Sequence, residues 1–339
     1  MTMTSNLVLM YNVNICPDNL PEHFPVDYEF FDPGKTYSDQ TVFAYDHYLS
    51  KGIIEQHLES HLQAGYRVIY DNKNEHWFNT NRWWIVELLQ KYPQQHLLLS
   101  LGSAPGTMSN LRVQAVPAWI WLRCRYYWEK FNYHNTAYIP TATAQYKTLC
   151  MINRPRAWRD RVWDALDQFG ENVLRSYLSR GIGMPDDSVS DGHLWQMNPR
   201  WFDLTAMSLV CESSVGALPG EIPVTAPSGV FISEKSLKPM AMQHPFILVA
   251  TPGTLAEIQS FGFETFPELW DESYDSVANF QQRLLLIMRQ VRQFDPAQIN
   301  QPIVQQKLEH NQHRIFDSVV TQQLLQQQVL DPILEFLNE

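Results

Sequence analysis

The chain has 339 residues, of which 45% are hydrophobic and 18% charged, and its 25 basic and 36 acidic residues give a net charge of −11. This composition is typical of a folded acidic protein, and the length favours two domains because single cores seldom exceed about 250–300 residues. No run approaches the roughly 20 apolar residues of a membrane-spanning helix, and the first residues lack the basic and apolar regions of a signal peptide. We therefore expect a cytoplasmic protein without a membrane span.

The cysteines and histidines predict no metal centre. The four cysteines are scattered along the chain and form no Cys-x-x-Cys pair: Cys16, Cys124, Cys150 and Cys211. This pattern argues against a disulfide framework and against a cysteine-based zinc site. His57 and His61 lie one helical turn apart, but no further ligand completes a site. A solvated helix face is the favoured interpretation of that pair.

Short apolar runs alternate with amphipathic stretches, which is the pattern of parallel strands joined by helices. In the first half, strands are predicted at residues 7–11, 66–70 and 96–101, and helices at 47–63 and 81–91. In the second half, strands are predicted at 147–152, 205–211 and 245–250, with helices reaching about residue 169 and spanning 233–242 and 254–261. After residue 275 only helical patterns remain. The sequence therefore predicts an α/β protein.

A change of composition marks the predicted domain boundary. An aromatic stretch over residues 116–135 gives way to small and polar residues over 137–145. We accordingly predict a first strand-and-helix domain over 1–145 and a second over 146–275. The remaining helices, over 276–339, are expected to pack back on the first domain.

The run Ser233-Glu234-Lys235 follows an apolar segment and predicts the capped start of a helix. The exposed N–H groups of a helix N-terminus attract an anion. Glu234 can accept two hydrogen bonds from a vicinal diol such as a ribose, and Lys235 offers a charge to a phosphate. The alternative is a surface helix in which both side chains only serve the helix dipole.

A second cluster follows the strand at 147–152, where Asn153, Arg154 and Arg156 precede a helix. Ligands of open α/β sheets bind at such strand ends, and a guanidinium there can fork onto a diphosphate and stabilise the charge of a leaving nucleotide. We favour this role for Arg154. For Arg159 and Arg161 we favour a solvated helix face.

Several segments of the second half resemble the donor half of fucosyltransferase-like GT-B glycosyltransferases and the glycosyltransferases of phages and large viruses. The matching segments are a strand ending in Glu-x-Ser, a Ser-Glu-Lys helix start, a His-Pro-Phe-Ile strand, and the runs Gly-Phe-x-Thr-Phe and Asp-Glu-Ser-Tyr-Asp: residues 209–214, 233–239, 244–247, 262–266 and 271–275. The resemblance covers about residues 147–275 and says little about the first 146.

This resemblance implies a GT-B architecture with two Rossmann-like domains, the first on the acceptor side and the second binding a nucleotide sugar. It implies that Arg154, Glu234 and Lys235 contact the nucleotide sugar, with no obligatory metal and no cofactor beyond that co-substrate. Ser233 stands where the family has threonine, which preserves the helix cap. The strand end Cys211-Glu212-Ser213 lacks the family's asparagine, which leaves the role of Glu212 open.

An inverting glycosyl transfer needs a carboxylate that takes the acceptor proton. Asp71 directly follows the strand at 66–70, and Glu75 lies in the same loop. We predict that one of these two is the base in the first domain. A solvent-exposed turn is the alternative for both, and a retaining reaction would need no such base.

The acceptor is left open between two classes. The phage-like segments suggest a hydroxymethylated pyrimidine in DNA, with Arg123, Arg125 and Lys130 as a nucleic-acid surface and the host cytoplasm as location. A saccharide acceptor fits the acidic net charge better. Because fold does not fix function, an inactive nucleotide- or glycan-binding protein is a third alternative.

Overall fold

The computed structural model describes residues 6–10, 28–46, 49, 51–73, 83–101, 109–135, 144–184, 196–216 and 230–339. These residues form two compact units. The first contains the described residues up to 122 together with 318–339, and the second contains those from 123 to 317.

The first unit is built on a six-stranded, fully parallel sheet in the order β2-β1-β3-β4-β5-β6. Its strands are β1 (Asn6–Leu9), β2 (Tyr28–Phe30), β3 (Thr41–Asp46), β4 (Arg67–Asn72), β5 (His96–Ser100) and β6 (Leu111–Ala115). Its helices are α1 (Lys51–Gln63), α2 (Trp83–Gln90) and the first turn of α3 (Trp119–Lys130). All residues of β3 and β5 are buried, as expected for parallel strands covered on both faces.

The second unit contains a four-stranded parallel sheet in the order β10-β9-β7-β8. Its strands are β7 (Tyr146–Ile152), β8 (Val173–Tyr177), β9 (Thr205–Cys211) and β10 (Phe246–Val249). Its helices are α4 (Ala157–Leu166), α5 (Pro199–Asp203), α6 (Glu234–Ala241), α7 (Thr254–Ser260), α8 (Phe280–Gln293) and α9 (Pro302–Phe316). The chain passes from β7 to β8 on one side and then to β9 on the other, so the strand order reverses between β7 and β9.

The predicted α/β class is confirmed, because both sheets are parallel and the chain ends in helices. Each strand predicted from the sequence is present with ends shifted by at most a few residues. Strands β2, β3, β6 and β8 were not predicted. The predicted helix up to residue 169 ends earlier, since α4 stops at Leu166 and a 3-10 segment with Gly170 at φ +58° leads into β8.

The compact units differ from the predicted domain limits at both ends of the second domain. Residues 123–135 belong to the second unit, where the Tyr133 hydroxyl donates to the Met197 carbonyl at 2.7 Å. Residues 276–317 belong there too, with the Gln312 amide donating to the Ala241 carbonyl at 2.9 Å. The boundary predicted within 137–145 falls largely on residues outside the described ones.

The last two helices, α10 (Ser318–Leu325) and α11 (Asp331–Asn338), group with the first unit. Arg67 on β4 donates to the Phe336 carbonyl at 2.8 Å, and its guanidinium lies over the Phe336 ring. Arg112 on β6 forms an ion pair with Glu335 at 2.6 Å. These contacts join α11 to strands β4 and β6 of the first sheet.

Candidate functional site

The candidate site lies at the carboxyl edge of the second sheet, where β7 and β9 end side by side. In open α/β sheets, ligands bind outside the carboxyl ends of the strands at the point where the strand order reverses. The predicted residues Asn153 and Arg154 directly follow β7, and Glu212 directly follows β9. The topology therefore brings together two sequence segments that are about sixty residues apart.

Glu212 is fully buried and organises the start of α6. One carboxylate oxygen accepts the Ser233 N–H at 2.9 Å and the Ser236 hydroxyl at 2.6 Å. The other accepts the Ser213 N–H at 3.0 Å and the Ser233 hydroxyl at 2.7 Å. All of these donors belong to the chain itself, so Glu212 positions the helix start and is not poised to contact a ligand directly.

Ser233 is the N-cap of α6, as the sequence predicts, and its hydroxyl accepts the Lys235 N–H at 3.3 Å. The Lys235 ammonium donates to a Glu234 carboxylate oxygen at 2.8 Å and to the Ser233 hydroxyl at 3.1 Å. Burial acts to raise the pKa of Glu234, but Lys235 and Lys238 outweigh it and hold the pKa below its ordinary value. Glu234 is therefore ionised at neutral pH and suited to accept hydrogen bonds from a diol.

Arg154 and Arg156 are both exposed where the chain leaves β7. Within the described part of the chain, no hydrogen bond or ion pair engages either guanidinium. Two forks of this kind at a strand end offer planar, bidentate donors to an anion such as a diphosphate. Their structural setting agrees with the role predicted for Arg154, and that role stays a prediction.

Arg159, by contrast, is buried and links the two halves of the site. Its guanidinium donates to the Arg154 carbonyl at 3.0 Å and to the Glu212 carbonyl at 2.8 Å. Burial lowers the pKa of this group, but an arginine stays charged at neutral pH. The solvated helix face predicted for Arg159 is wrong, whereas Arg161 is exposed.

The sequence carries a signal for this burial. Arg159 stands three, four and seven residues before Val162, Trp163 and Leu166, all of which are buried. These spacings put the arginine on the apolar face of α4. A cation on the buried face of a helix, next to a strand end, indicates a polar link inside the site.

The Asp-Glu-Ser-Tyr-Asp run supplies carboxylates that accept hydrogen bonds from other segments of the second unit. In the Asp-Glu-Ser-Tyr-Asp run, the Glu272 carboxylate accepts the Thr265 hydroxyl at 2.8 Å and the Phe266 N–H at 2.7 Å. The Asp275 carboxylate accepts the Leu255 N–H in the first turn of α7 at 3.1 Å. These carboxylates therefore hold the start of α7 and the segment that follows it.

His244 in the His-Pro-Phe-Ile run is fully buried and neutral. Its Nε2–H donates to the Thr205 carbonyl at 2.8 Å and its Nδ1 accepts the Ser208 hydroxyl at 2.8 Å, and burial lowers its pKa to about 4. Below pH 6.5 the imidazole binds a proton in the unfolded chain but not in the folded chain. The free energy of unfolding therefore decreases as the pH is lowered from 6.5 to the pKa of the folded state. At pH 4 we expect this group to cost about 3 kcal/mol relative to neutral pH.

Urea unfolding at pH 7 and pH 4 tests this expectation. His244→Gln removes the titrating group. Between pH 7 and pH 4, this variant should therefore lose less stability than the parent, by about 3 kcal/mol. His313→Gln removes an exposed imidazole and serves as the control. Equal pH slopes for the parent and His244→Gln would contradict the assignment.

The predicted base Asp71 ends up in a buried ion pair at the carboxyl edge of the first sheet. Its side chain pairs with the buried ammonium of Lys73 and also accepts the Lys73 N–H at 3.2 Å. The ammonium lies 4.2 Å from the centroid of the Trp119 ring. Burial raises the pKa of Asp71, Lys73 opposes this and Asp46 adds to it. Glu75 lies outside the described residues.

Asp46 lies where the strand order of the first sheet reverses. That order reverses between β1 and β3, and Asp46 is the last residue of β3, opposite Asp71 in the register. Asp71 lies one strand further along the sheet. Asp71 therefore stays the predicted base, and Asp46 is the alternative.

The other polar clusters among the described residues do not form a set of metal ligands. His61 stacks on Phe43 at 3.8 Å and its Nδ1 meets the Tyr45 hydroxyl at 2.7 Å, so it is not on the solvated face predicted for it. Among the residues that the structure describes, no group of three or more His, Cys, Asp or Glu side chains could hold a metal ion. Cys124, Cys150 and Cys211 are free and buried. No described helix combines the length and apolar character needed to cross a membrane.

Comparison with known proteins gives a likeness in structure and no match in sequence. No protein-family model matches the chain, and no curated protein matches it either. Among solved structures, the crystal structure of an alpha1,3-fucosyltransferase is similar, with a TM-score of 0.44 and 10% sequence identity over 94% of this chain and 92% of that chain.

Proposed function

We propose that the protein is a GT-B glycosyltransferase that binds a nucleotide sugar at the carboxyl edge of its second sheet and transfers the sugar to an acceptor hydroxyl. The observation that carries the proposal is the convergence of β7, β9 and α6 on one point. The exposed residues Arg154 and Arg156 follow β7 there. Glu234 and Lys235 are the first residues of α6, the helix that follows β9.

The chemistry of this convergence suits a nucleoside diphosphate. Guanidinium groups and a helix N-terminus together favour a dianionic group. An ionised Glu234 beside them offers two acceptor oxygens to the ribose hydroxyls. When the glycosidic bond breaks, the same cations would stabilise the charge that develops on the leaving diphosphate.

The site is also preorganised. Glu212 and Arg159 are both buried, and each bonds to more than one segment of the edge. Positions fixed in this way do not have to be ordered when the donor binds, which saves conformational entropy. We propose that Asn153, next to Arg154 on the same strand end, and Ser213, beside Glu212, complete the wall that faces the diphosphate.

For the acceptor, we propose a saccharide hydroxyl rather than DNA. The cations predicted to form a nucleic-acid surface on α3 have partners within the helix: Arg125 pairs with Glu129 at 2.8 Å, and Lys130 lies 4.1 Å from the centroid of the Tyr126 ring. The net charge of −11 also opposes approach to a polyanion. A carbohydrate acceptor carries no such penalty.

Calorimetric titration with nucleoside diphosphates tests the donor site. We expect Arg154→Ala and Lys235→Ala each to weaken binding roughly tenfold or more, because each removes a charge-assisted hydrogen bond worth about 1.5–3 kcal/mol. Arg161→Ala is the matched control, since Arg161 is an exposed arginine on the following helix. Unchanged affinity in both folded variants would move the donor site elsewhere.

Turnover separates an enzyme from a binding protein of the same fold. Purified protein would be incubated with the nucleotide sugar that binds best, with a saccharide panel and with hydroxymethylated DNA, and release of nucleoside diphosphate would be followed. We expect release that depends on a saccharide. Tight donor binding without release on any acceptor would favour the inactive binding protein, and release on DNA alone would restore the DNA acceptor.

A further inference from the structure

A cavity of about 210 Å³ lies beside the proposed donor site, within the second unit. One wall is the face of the sheet that carries Met151 and Val210, and another is α6. Met197 and Trp201 close a further side. The walls are largely apolar, which suits an aromatic group.

Two polar groups stand out in this lining. Lys238 lies one helical turn after Glu234 on α6, and no hydrogen bond or ion pair with the described residues engages its ammonium. The side-chain carbonyl oxygen of Gln196 is buried and accepts no hydrogen bond from that part of the chain. A buried acceptor without a donor costs about 1–3 kcal/mol, so a ligand that supplies one is favoured.

The Met197 wall is held rigidly. The Tyr133 hydroxyl donates to the Met197 carbonyl at 2.7 Å and accepts the Met197 N–H at 3.0 Å. Asn198 accepts the Arg200 N–H at 3.1 Å and caps α5. The backbone that follows Gln196 is therefore held in place by hydrogen bonds.

We propose that Lys238 and Gln196 select the nucleobase of the donor, favouring bases in which a ring N–H stands next to a carbonyl, namely uracil and guanine, over cytosine and adenine. This inference rests on the proposed function, because it is the ribose on Glu234 that directs the base into the cavity. Neither residue was singled out by the sequence.

The selectivity follows from the direction of two hydrogen bonds. The Lys238 ammonium can only donate, and a base carbonyl accepts from it. The neighbouring ring N–H of uracil or guanine then donates to the Gln196 oxygen. In cytosine and adenine, an amino group replaces that carbonyl and an unprotonated ring nitrogen replaces that N–H. The same orientation would then set donor against donor and acceptor against acceptor.

Calorimetric titration of the full chain with UDP, GDP, CDP, ADP and inorganic pyrophosphate tests the inference. The parent should bind UDP or GDP at least about tenfold more tightly than CDP and ADP, the difference expected for one charge-assisted hydrogen bond. Lys238→Met puts an uncharged, unbranched side chain one atom shorter in place of the lysine and should reduce that preference to less than about threefold, with pyrophosphate affinity unchanged. Lys91→Met, at an exposed lysine in the first unit, is the control.

Gln196→Leu provides a second and independent variant, which should also reduce the preference for UDP and GDP. A parent that binds all four nucleotides equally would overturn the inference while leaving the donor site intact. Loss of pyrophosphate binding in Lys238→Met would also overturn it, since Lys238 would then belong to the diphosphate contact. Absence of binding by every nucleotide and by pyrophosphate would instead reject the proposed function.

Discussion

We expect Asp71→Asn to lower the free energy of unfolding by about 3–5 kcal/mol, the cost of leaving one partner of a buried ion pair alone. Asp71 and Lys73 are both buried, and their side chains pair directly. Asparagine keeps the shape but removes the charge that balances the Lys73 ammonium. Urea unfolding followed by tryptophan fluorescence measures the loss.

The double variant Asp71→Asn with Lys73→Met is the informative partner to that experiment. It removes both charges, so it should recover much of the stability lost in the single variant. Asp39→Asn, at an exposed aspartate of the first unit, should be nearly neutral. A single variant as stable as the parent would show that the pair is not maintained in the folded protein.

The same variants decide whether Asp71 is the base. General-base catalysis typically contributes about 10²–10⁴-fold, so loss of the base should reduce turnover by that factor in protein that is fully folded at the assay temperature. Restored stability without restored turnover in the double variant would support the catalytic role. Near-parental turnover in the double variant would remove Asp71 from the mechanism, and Asp46→Asn would then be the variant to assay.

We expect Glu212→Leu to lose roughly 4 kcal/mol or more, because it leaves four buried or part-buried donors without their acceptor, each worth about 1–3 kcal/mol. Those donors are the N–H groups of Ser213 and Ser233 and the hydroxyls of Ser233 and Ser236. Leucine fills the space but accepts nothing. Thermal unfolding should show a lower transition temperature for the second unit.

Glu212→Gln separates positioning from stability. Each carboxylate oxygen accepts one backbone N–H and one hydroxyl, and a hydroxyl can rotate to accept whereas an N–H cannot. Whichever way the amide turns, one N–H therefore faces an NH₂ group. We expect a smaller stability loss, about 1–3 kcal/mol, but a donor affinity reduced about tenfold because the start of α6 shifts. Glu171→Gln, at an exposed glutamate, is the control, and parental donor affinity in folded Glu212→Gln would count against the positioning role.

Local patterns predict the regular elements of this protein well where they are strong. The strand at 205–211 is confirmed residue for residue, and the cap of α6 by Ser233 is confirmed as well. Both depend on neighbours in sequence, namely a continuous apolar run and a hydroxyl ahead of a helix. The sequence does not predict β6 because Leu111–Ala115 carries Arg112 and Gln114 and so has no continuous apolar run. In the structure, only Leu111 of this strand is buried.

Domain limits are less predictable from composition. A shift from aromatic to polar residues near 137 suggested a boundary, but Tyr133 is bonded to Met197 in the second unit. Likewise Gln312 on α9 bonds to Ala241 on α6. The surface that a helix covers depends on residues remote in sequence, so the local pattern of the helix does not predict that surface.

The sequence alone determined the α/β class, the residue types of the candidate donor site and their attachment to strand ends and a helix start, because these follow from periodicity and from capping chemistry within a few residues. Only the tertiary structure decided that Arg159 joins the ends of β7 and β9, that both oxygens of Glu212 accept hydrogen bonds from the chain itself, and that Asp71 is paired with Lys73. The physical reason is that burial and hydrogen-bond partnership are set by which strands become neighbours, and the reversal of strand order between β7 and β9 brings residues together across long stretches of intervening chain.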